Sequence, residues 1–440
     1  ARLATMAAQE AVKANNLERI QNVLDLYEQY YSEFDDFFKD SEPDDLKVAG
    51  LISVLRNIDA SDEQTTSLIE SAFGISPDRL VDSIDRLHDQ ELVDLHGNFI
   101  AKVSDQVLAT YCFYLCFVKH EALSFQTLVE QYSGSHLPRI KDALYGAFNS
   151  LDANVIRKIT DAPLAKAISN TSGDAQLELI EAFWFVDTDQ NLATLKALVS
   201  ALPVQDIDPC QVNWEDKQVW GEDHLLSCLS QFSHAHPTDA KVAIDLILQF
   251  LPRRPDRADK VLSVLTDNSG YGFGPDSHRY GYIFQKAVVE TIVRHLETDV
   301  PIIQALFVRV AKSYLSTQFH STWSETRHTF SFCNFVVAPT SELSAIRALI
   351  WRTLAELYES GHEVNSISEV LSQYANDLYC TTDQDVLSID LPFALDWINT
   401  RLDPARYRDC CIAHALDHRF RRAELELSLI HISEPTRPSQ

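Results

Sequence analysis

Glycine is scarce in this chain, 12 among 440 residues, and proline at 16 is hardly commoner. Gly-rich phosphate loops and many-turned β architectures both need more, so the counts favour a helical protein. No GxxxxGK[ST] loop occurs, so the chain as written lacks the backbone cradle and lysine that hold the phosphates of ATP. Cations are also few. Lys and Arg number 37 against 64 Asp and Glu, a net charge of −27. So acidic a surface repels phosphate backbones and anionic lipid, which disfavours nucleic acid as a partner. The eight cysteines form no CxxC pair and no framework spacing, and most lie in apolar runs where a thiol behaves as a small hydrophobe. This usage points to a reducing, cytoplasmic setting. The most apolar stretch, 107–118, is shorter than the roughly 20 residues a membrane helix requires, and no signal peptide opens the chain.

What is present is a folded composition, 45% hydrophobic and 23% charged, long enough for two or three domains or one extended array. Residues 1–38 carry apolar positions at helical spacing, and the acidic Asp35–Asp45 stretch reads as a linker. A compact unit follows at 44–104. Helices are expected over Asp44–Asn57, from Ser61 through Phe73, and from Pro77 to about Gln90. Ser61 and Gln64 supply a capping box, Gly74 a C-terminal stop and Pro77 a first-turn start. Residues 92–103 then read as two strands around His96-Gly97-Asn98. Three helices and a hairpin make a winged helix-turn-helix. From 105 to 426 amphipathic runs succeed one another, as in an α-solenoid, though no residue signature repeats. The expected fold is therefore all-α, a winged helix followed by a solenoid-like array.

Charge decides how the winged helix is read. Its third helix carries Asp78, Asp82, Asp85, Asp89 and Glu91 against Arg79 and Arg86, the wrong balance for a major-groove reader. Metal candidates are thin: His414 and His418 share a helical face near Cys410-Cys411, but no Glu base or third ligand accompanies them. No metal site is expected. Two irregular stretches, near 203–221 and 267–280, interrupt the helices. Long loops inside helical arrays are commonly functional, and aromatic anchors dominate interfaces. Trp214, Trp220, Tyr271, Phe273 and Tyr280 are therefore the candidate partner-binding residues. The Gly270–Gly274 cluster reads either as a ligand-contact loop presenting Tyr271, Phe273 and Tyr280 or as a plain surface loop with flexible turns, and Arg253, Arg254, Arg257 and Lys260 as a small basic cluster.

The opening Ala1-Arg-Leu-Ala-Thr-Met-Ala, followed by the winged-helix order and a Val103–Tyr111 run, resembles the C-terminal part of bacterial AAA+/STAND (NACHT-like) signalling ATPases. In that family a G-N-[PA]-R-L-A stretch opens a helical lid domain; only Arg-Leu-Ala is matched here. The resemblance implies a regulatory and ligand-sensing region, 1–38 being lid-type helices and Arg2 a nucleotide-sensing residue. It implies ATP and Mg bound by the parent protein rather than by this piece, which is itself no enzyme. Partners would be a protein ligand and, through the parent, further copies of itself. A winged-helix DNA-binding regulator and a plain helical scaffold are the alternatives. Leu427–Arg437 resembles a translated sequencing adapter, so 427–440 is treated as an artefactual tail, and the whole as an internal piece of a longer protein.

Overall fold

The computed structural model describes residues 32–103, 105–215, 223–232, 235–271, 275–326, 329–376 and 383–422. Arg2, the lid stretch before Ser32 and the adapter-like tail lie outside them. The all-α expectation holds: helices dominate, with two small antiparallel sheets among the described residues. The chain divides into two compact units, 1–187 and 188–440. That division differs from the boundary expected at 104/105.

In the first unit α1 (Ser32–Asp40) and α2 (Pro43–Leu55) are separated by two residues only, so the acidic Asp35–Asp45 stretch is mostly helix rather than linker. Lys39 against Asp35 and Asp36 supplies local pairing that the acidic composition concealed. Then come β1 (Ile58–Asp59), α3 (Glu63–Phe73), α4 (Pro77–Asp89), β2 (Val93–His96) and β3 (Ile100–Val103). The sheet order is β1-β3-β2, with Ile58 opposite Ala101 and Val93 opposite Val103. The N-cap of α3 is Asp62, whose carboxylate accepts from the Gln64 and Thr65 backbone N–H groups at 3.3 and 3.1 Å. Ser61, the expected cap, instead donates its hydroxyl to Asp59. An ionised acceptor beats a neutral hydroxyl one residue away, because it carries full charge toward the helix's positive end. Gly74 ends α3 in the left-handed region and Pro77 opens α4, both as expected.

The apolar face of α2 meets elements on both sides of 104/105. Leu46, Val48, Leu51, Ile52, Val54 and Leu55 are all buried, and α2 packs on α4, on β3, on α5 (Gln106–Phe113) with its wide-turn continuation Tyr114–Lys119, and on α6 (Phe125–Ser150). One core therefore unites 43–103 with the helices after it. The two expected helices, Leu123–Tyr132 and Leu137–Leu151, follow one another within α6, on either side of a kink at His136, whose backbone is non-helical just before Pro138. Proline removes one backbone donor and crowds the preceding turn. Helices α7 (Ala153–Asn170) and α8 (Asp174–Ala182) complete the unit.

The second unit comprises α9 (Thr188–Ala201), α10 (His224–Gln231), α11 (Pro237–Phe250), α12 (Ala258–Ser263), α13 (Ile283–Leu296), α14 (Pro301–Tyr314), β4 (Gln318–Thr326), β5 (Thr329–Val336), α15 (Ser341–Glu359), α16 (Val364–Asn376), α17 (Gln384–Asp396) and α18 (Tyr407–Arg422). Its helices stack in two rows. One runs α9, α11, α13, α15, α17, and the other α12, α14, α16, α18, each member packed on the next. Wide apolar stripes make this possible: Ala243, Ile244, Leu246, Ile247, Leu248 and Phe250 of α11 are all buried. The β4–β5 hairpin was not expected from the sequence.

Candidate functional site

The five aromatic candidates separate by environment. Trp220 and Phe273 lie outside the described residues. Trp214 is 8% exposed, and the Arg309 guanidinium of α14 sits 4.5 Å over its ring. Burial lowers the pKa of that guanidinium, opposed first by the charges of Glu363 and Glu369, and the ring's negative face adds a favourable contact. Trp214 and Glu215 border a cleft of about 260 Å³ whose other wall is Asp259, Lys260, Ser263, Thr266 and Asp267. That wall runs directly into the second irregular stretch.

In that second stretch Tyr271 is 1% exposed, enclosed by the rings of Tyr314, Tyr282 and Phe319 at 5.1, 5.3 and 5.6 Å. Burial pushes its phenol pKa up. Tyr280, nine residues on, is 73% exposed. Trp214 and Tyr271 thus serve the core, and Tyr280 alone among the described candidates is presented to solvent. Tyr282, which sequence reading passed over, is the residue that fixes the loop. Its hydroxyl donates to the Ala338 carbonyl at 3.0 Å and accepts from the Ala338 N–H at 2.8 Å, tying the loop to the segment that leaves the base of the β4–β5 hairpin.

The basic cluster is neutralised internally. Arg254 bridges Asp223 and Asp256 at 3.0 and 2.8 Å, Arg257 faces the same two carboxylates, and Arg253 donates to the Leu202 and Gln249 carbonyls. His414 and His418 are exposed on α18. Among the described residues no set of three His, Cys, Asp or Glu side chains is placed to hold a metal.

In the first unit the electrostatics of α4 are settled by its neighbours. Arg86 forks onto Asp45 of α2, with contacts of 2.6, 3.0 and 3.1 Å, and Arg79 pairs with Asp44. Asp44 and Asp45 are themselves buried. Both arginines that a DNA-reading helix would need are therefore committed to holding α4 on α2. A cavity of about 460 Å³ opens on another side of α2, lined by Arg56, Lys102, Asp105, Thr110, Arg139 and Asp142 among others. Arg139 donates to the Leu55 carbonyl at 2.6 Å, capping α2, and Arg56 pairs with Asp142. Arg56 itself has φ 66°, ψ −36°, a strained backbone for a residue with a Cβ. No sequence signal marked this cavity, because its residues come from four separate elements.

No family model matches the chain, and no curated protein or solved structure is detectably similar to it.

Proposed function

We propose that this chain is the regulatory and ligand-sensing part of a cytoplasmic signal-transduction ATPase of the STAND type. In this reading residues 43–103 form a winged-helix domain and the two-row array of 188–422 meets a protein ligand. The order α2-β1-α3-α4-β2-β3, followed by helices, supports it. The observation that carries it is the pairing of Arg79 and Arg86 with Asp44 and Asp45. A winged helix whose arginines are spent within the domain, and whose exposed side is acidic, is suited to packing and relay rather than to DNA. Arg2 would sense nucleotide, while ATP and Mg would be held by a preceding domain; this piece catalyses nothing. Binding of the sensed protein would bias a two-state arrangement of that parent, which self-associates on activation. Tyr280 is the aromatic best placed to meet the ligand.

The test is to recover the coding sequence upstream of Ala1 and express the longer protein. A GxxxxGK[ST] motif there, with ATP binding lost on substituting its lysine, supports the proposal. Absence of the motif, together with salt-sensitive binding of duplex DNA by the chain, overturns it in favour of a winged-helix regulator. Absence of both leaves a helical scaffold as the function.

A further inference from the structure

The cavity beside the end of α2 is walled by α2, β3, α5 and α6. Its volume of about 460 Å³ falls in the range of pockets that enclose a small organic molecule. Ile52 and Val54 of α2, Ala109 and Phe113 of α5 and Ala143 of α6 supply an apolar lining. The charged lining is three cations, Arg56, Lys102 and Arg139, against two carboxylates, Asp105 and Asp142. In a chain of net charge −27, this local surplus of cations runs against the composition.

Both carboxylates are already engaged. Asp105 is the N-cap of α5 and accepts from the Val107 and Leu108 N–H groups at 2.8 and 3.1 Å, so its charge answers the positive end of that helix. Asp142 pairs with Arg56. Arg139 is left without a carboxylate. Among the described residues its hydrogen bonds run from Nη1 alone, to the Leu55 carbonyl at 2.6 Å and the Asn57 side-chain oxygen at 3.3 Å. The Nε–Nη2 edge of a guanidinium is the one that matches two oxygens of a phosphate or carboxylate, and here it has no acceptor among the described residues. Lys102 likewise makes no ion pair or hydrogen bond among the described residues, although Asp94 stands opposite it across the β2–β3 pair.

We propose that this cavity binds a small organic anion, an apolar body carrying one phosphate or carboxylate group, held by the Nε–Nη2 edge of Arg139 and by Lys102. The apolar lining selects the body, since a bare inorganic ion would leave that lining against water. The two cations select the charge, because a neutral ligand of the same shape would cover them without answering it. Arg139 belongs to α6 and Lys102 to β3, so an occupied cavity ties the β2–β3 hairpin to the helices that follow it. The proposal holds whether or not the chain regulates an ATPase, so its failure leaves that reading untouched.

The probe is anilinonaphthalene sulfonate, an apolar dye with one anionic group, titrated into the full chain and followed by its fluorescence. Phenylnaphthylamine, its neutral counterpart, is the control for charge. Wild type should bind the sulfonate saturably and the neutral dye at least about tenfold more weakly. Lys102→Gln, at an exposed strand position, should weaken the sulfonate by about three- to tenfold, and Asp142→Asn should strengthen it by about two- to threefold. Arg139→Lys, which keeps the charge and loses the two-pronged edge, should also weaken it. Lys196→Gln, an exposed change on α9, should leave it as it was. Far-ultraviolet circular dichroism establishes that each variant keeps its helices. Phenyl phosphate and benzoate are then set against the bound dye. Displacement by either supports the proposal, and the stronger competitor identifies the head group. A wild-type chain that binds neither dye, or both equally, overturns it. So does sulfonate binding indifferent to both Lys102→Gln and Arg139→Lys, or a bound dye that neither anion displaces.

Discussion

Arg347 on α15 and Asp390 on α17 meet with neither side chain reaching solvent: Nε and Nη2 donate to the two carboxylate oxygens at 2.8 and 2.5 Å. Tyr374 and Trp351 donate to the same carboxylate at 2.8 and 3.1 Å. The rest of the guanidinium donates to the carbonyls of Tyr314 and Leu315 at 3.2 and 2.9 Å, where α14 ends. One buried ion pair thereby caps one helix and joins three others, and every partner is satisfied.

Truncating one side of such a pair strands the other. Asp390→Ala should destabilise the protein by about 3–5 kcal/mol, whereas the double change Arg347→Met/Asp390→Leu should cost less. Urea unfolding of the three proteins, followed by tryptophan fluorescence, checks the order. If the double variant is the weaker, the pair contributes net stability and this account of it is wrong.

Asp35 on α1 gives a pH dependence of definite sign. Burial pushes its carboxyl upward. Hydrogen bonds from His120, Lys119 and Lys39 outweigh that, and its pKa falls from the ordinary 3.8 to about 2. The His120 Nε2 and Lys119 Nζ contacts are 2.9 and 3.1 Å. A carboxyl depressed on folding contributes stability that is fully present above its unfolded pKa and is lost as pH falls through the folded one. The contribution should therefore decay between about pH 4 and pH 2. Asp35→Asn should flatten the dependence of stability on pH in that window and leave the remainder of the acid limb in place. An unchanged limb in the variant would remove Asp35 as a cause.

The helices were legible because burial here follows the 3.6-residue period, and the first hairpin because His96-Gly97-Asn98 is a turn signal. Gly97 and Asn98 indeed both take positive φ. The second hairpin was missed for the converse reason. The segment between its strands, Arg327-His328, contains none of the residues that announce a tight turn, although Phe330, Phe332 and the flanking Ser and Thr alternate as strands do. The Asp62 cap and the Arg86–Asp45 fork depend on which acid meets which base in space, and a chain with 64 acidic residues offers too many choices. Tyr271 and Trp214 look alike in sequence to Tyr280. Only packing separates anchors of the core from a residue shown to solvent.

The thiols should divide by burial. Cys112 and Cys116 are buried, and desolvation raises both pKa values, that of Cys112 to about 12. Cys228 is buried too, while Cys210 and Cys411 are exposed. Only a thiolate reacts. In a time course with an aromatic disulfide reagent followed by peptide mapping, Cys210 and Cys411 should be modified in the native protein. Cys112, Cys116 and Cys228 should be modified only when it unfolds. Early labelling of Cys112 would mean that α5 opens locally.

Gly50 and Gly134 offer a matched pair of glycine substitutions with opposite signs. Both lie within helices, α2 and α6, where alanine is intrinsically better by about 0.8–1 kcal/mol. A Cβ on Gly134 would meet nothing within 4 Å, so Gly134→Ala should stabilise. A Cβ on Gly50 would lie 2.3 Å from Cys116 Sγ and 2.5 Å from Cys116 Cβ, closer than real contacts allow. Both partners sit in the buried seam between α2 and the turn that continues α5, where α2 cannot back away without opening its contacts to α4 and β3. Overpacking of this kind costs about 1–3 kcal/mol, more than the propensity gain. Gly50→Ala should therefore destabilise on balance, and thermal unfolding of the two variants beside wild type reads both signs at once. A stabilised Gly50→Ala would show that α2 and the Cys116 turn are not in the close contact that joins 43–103 to the helices after it.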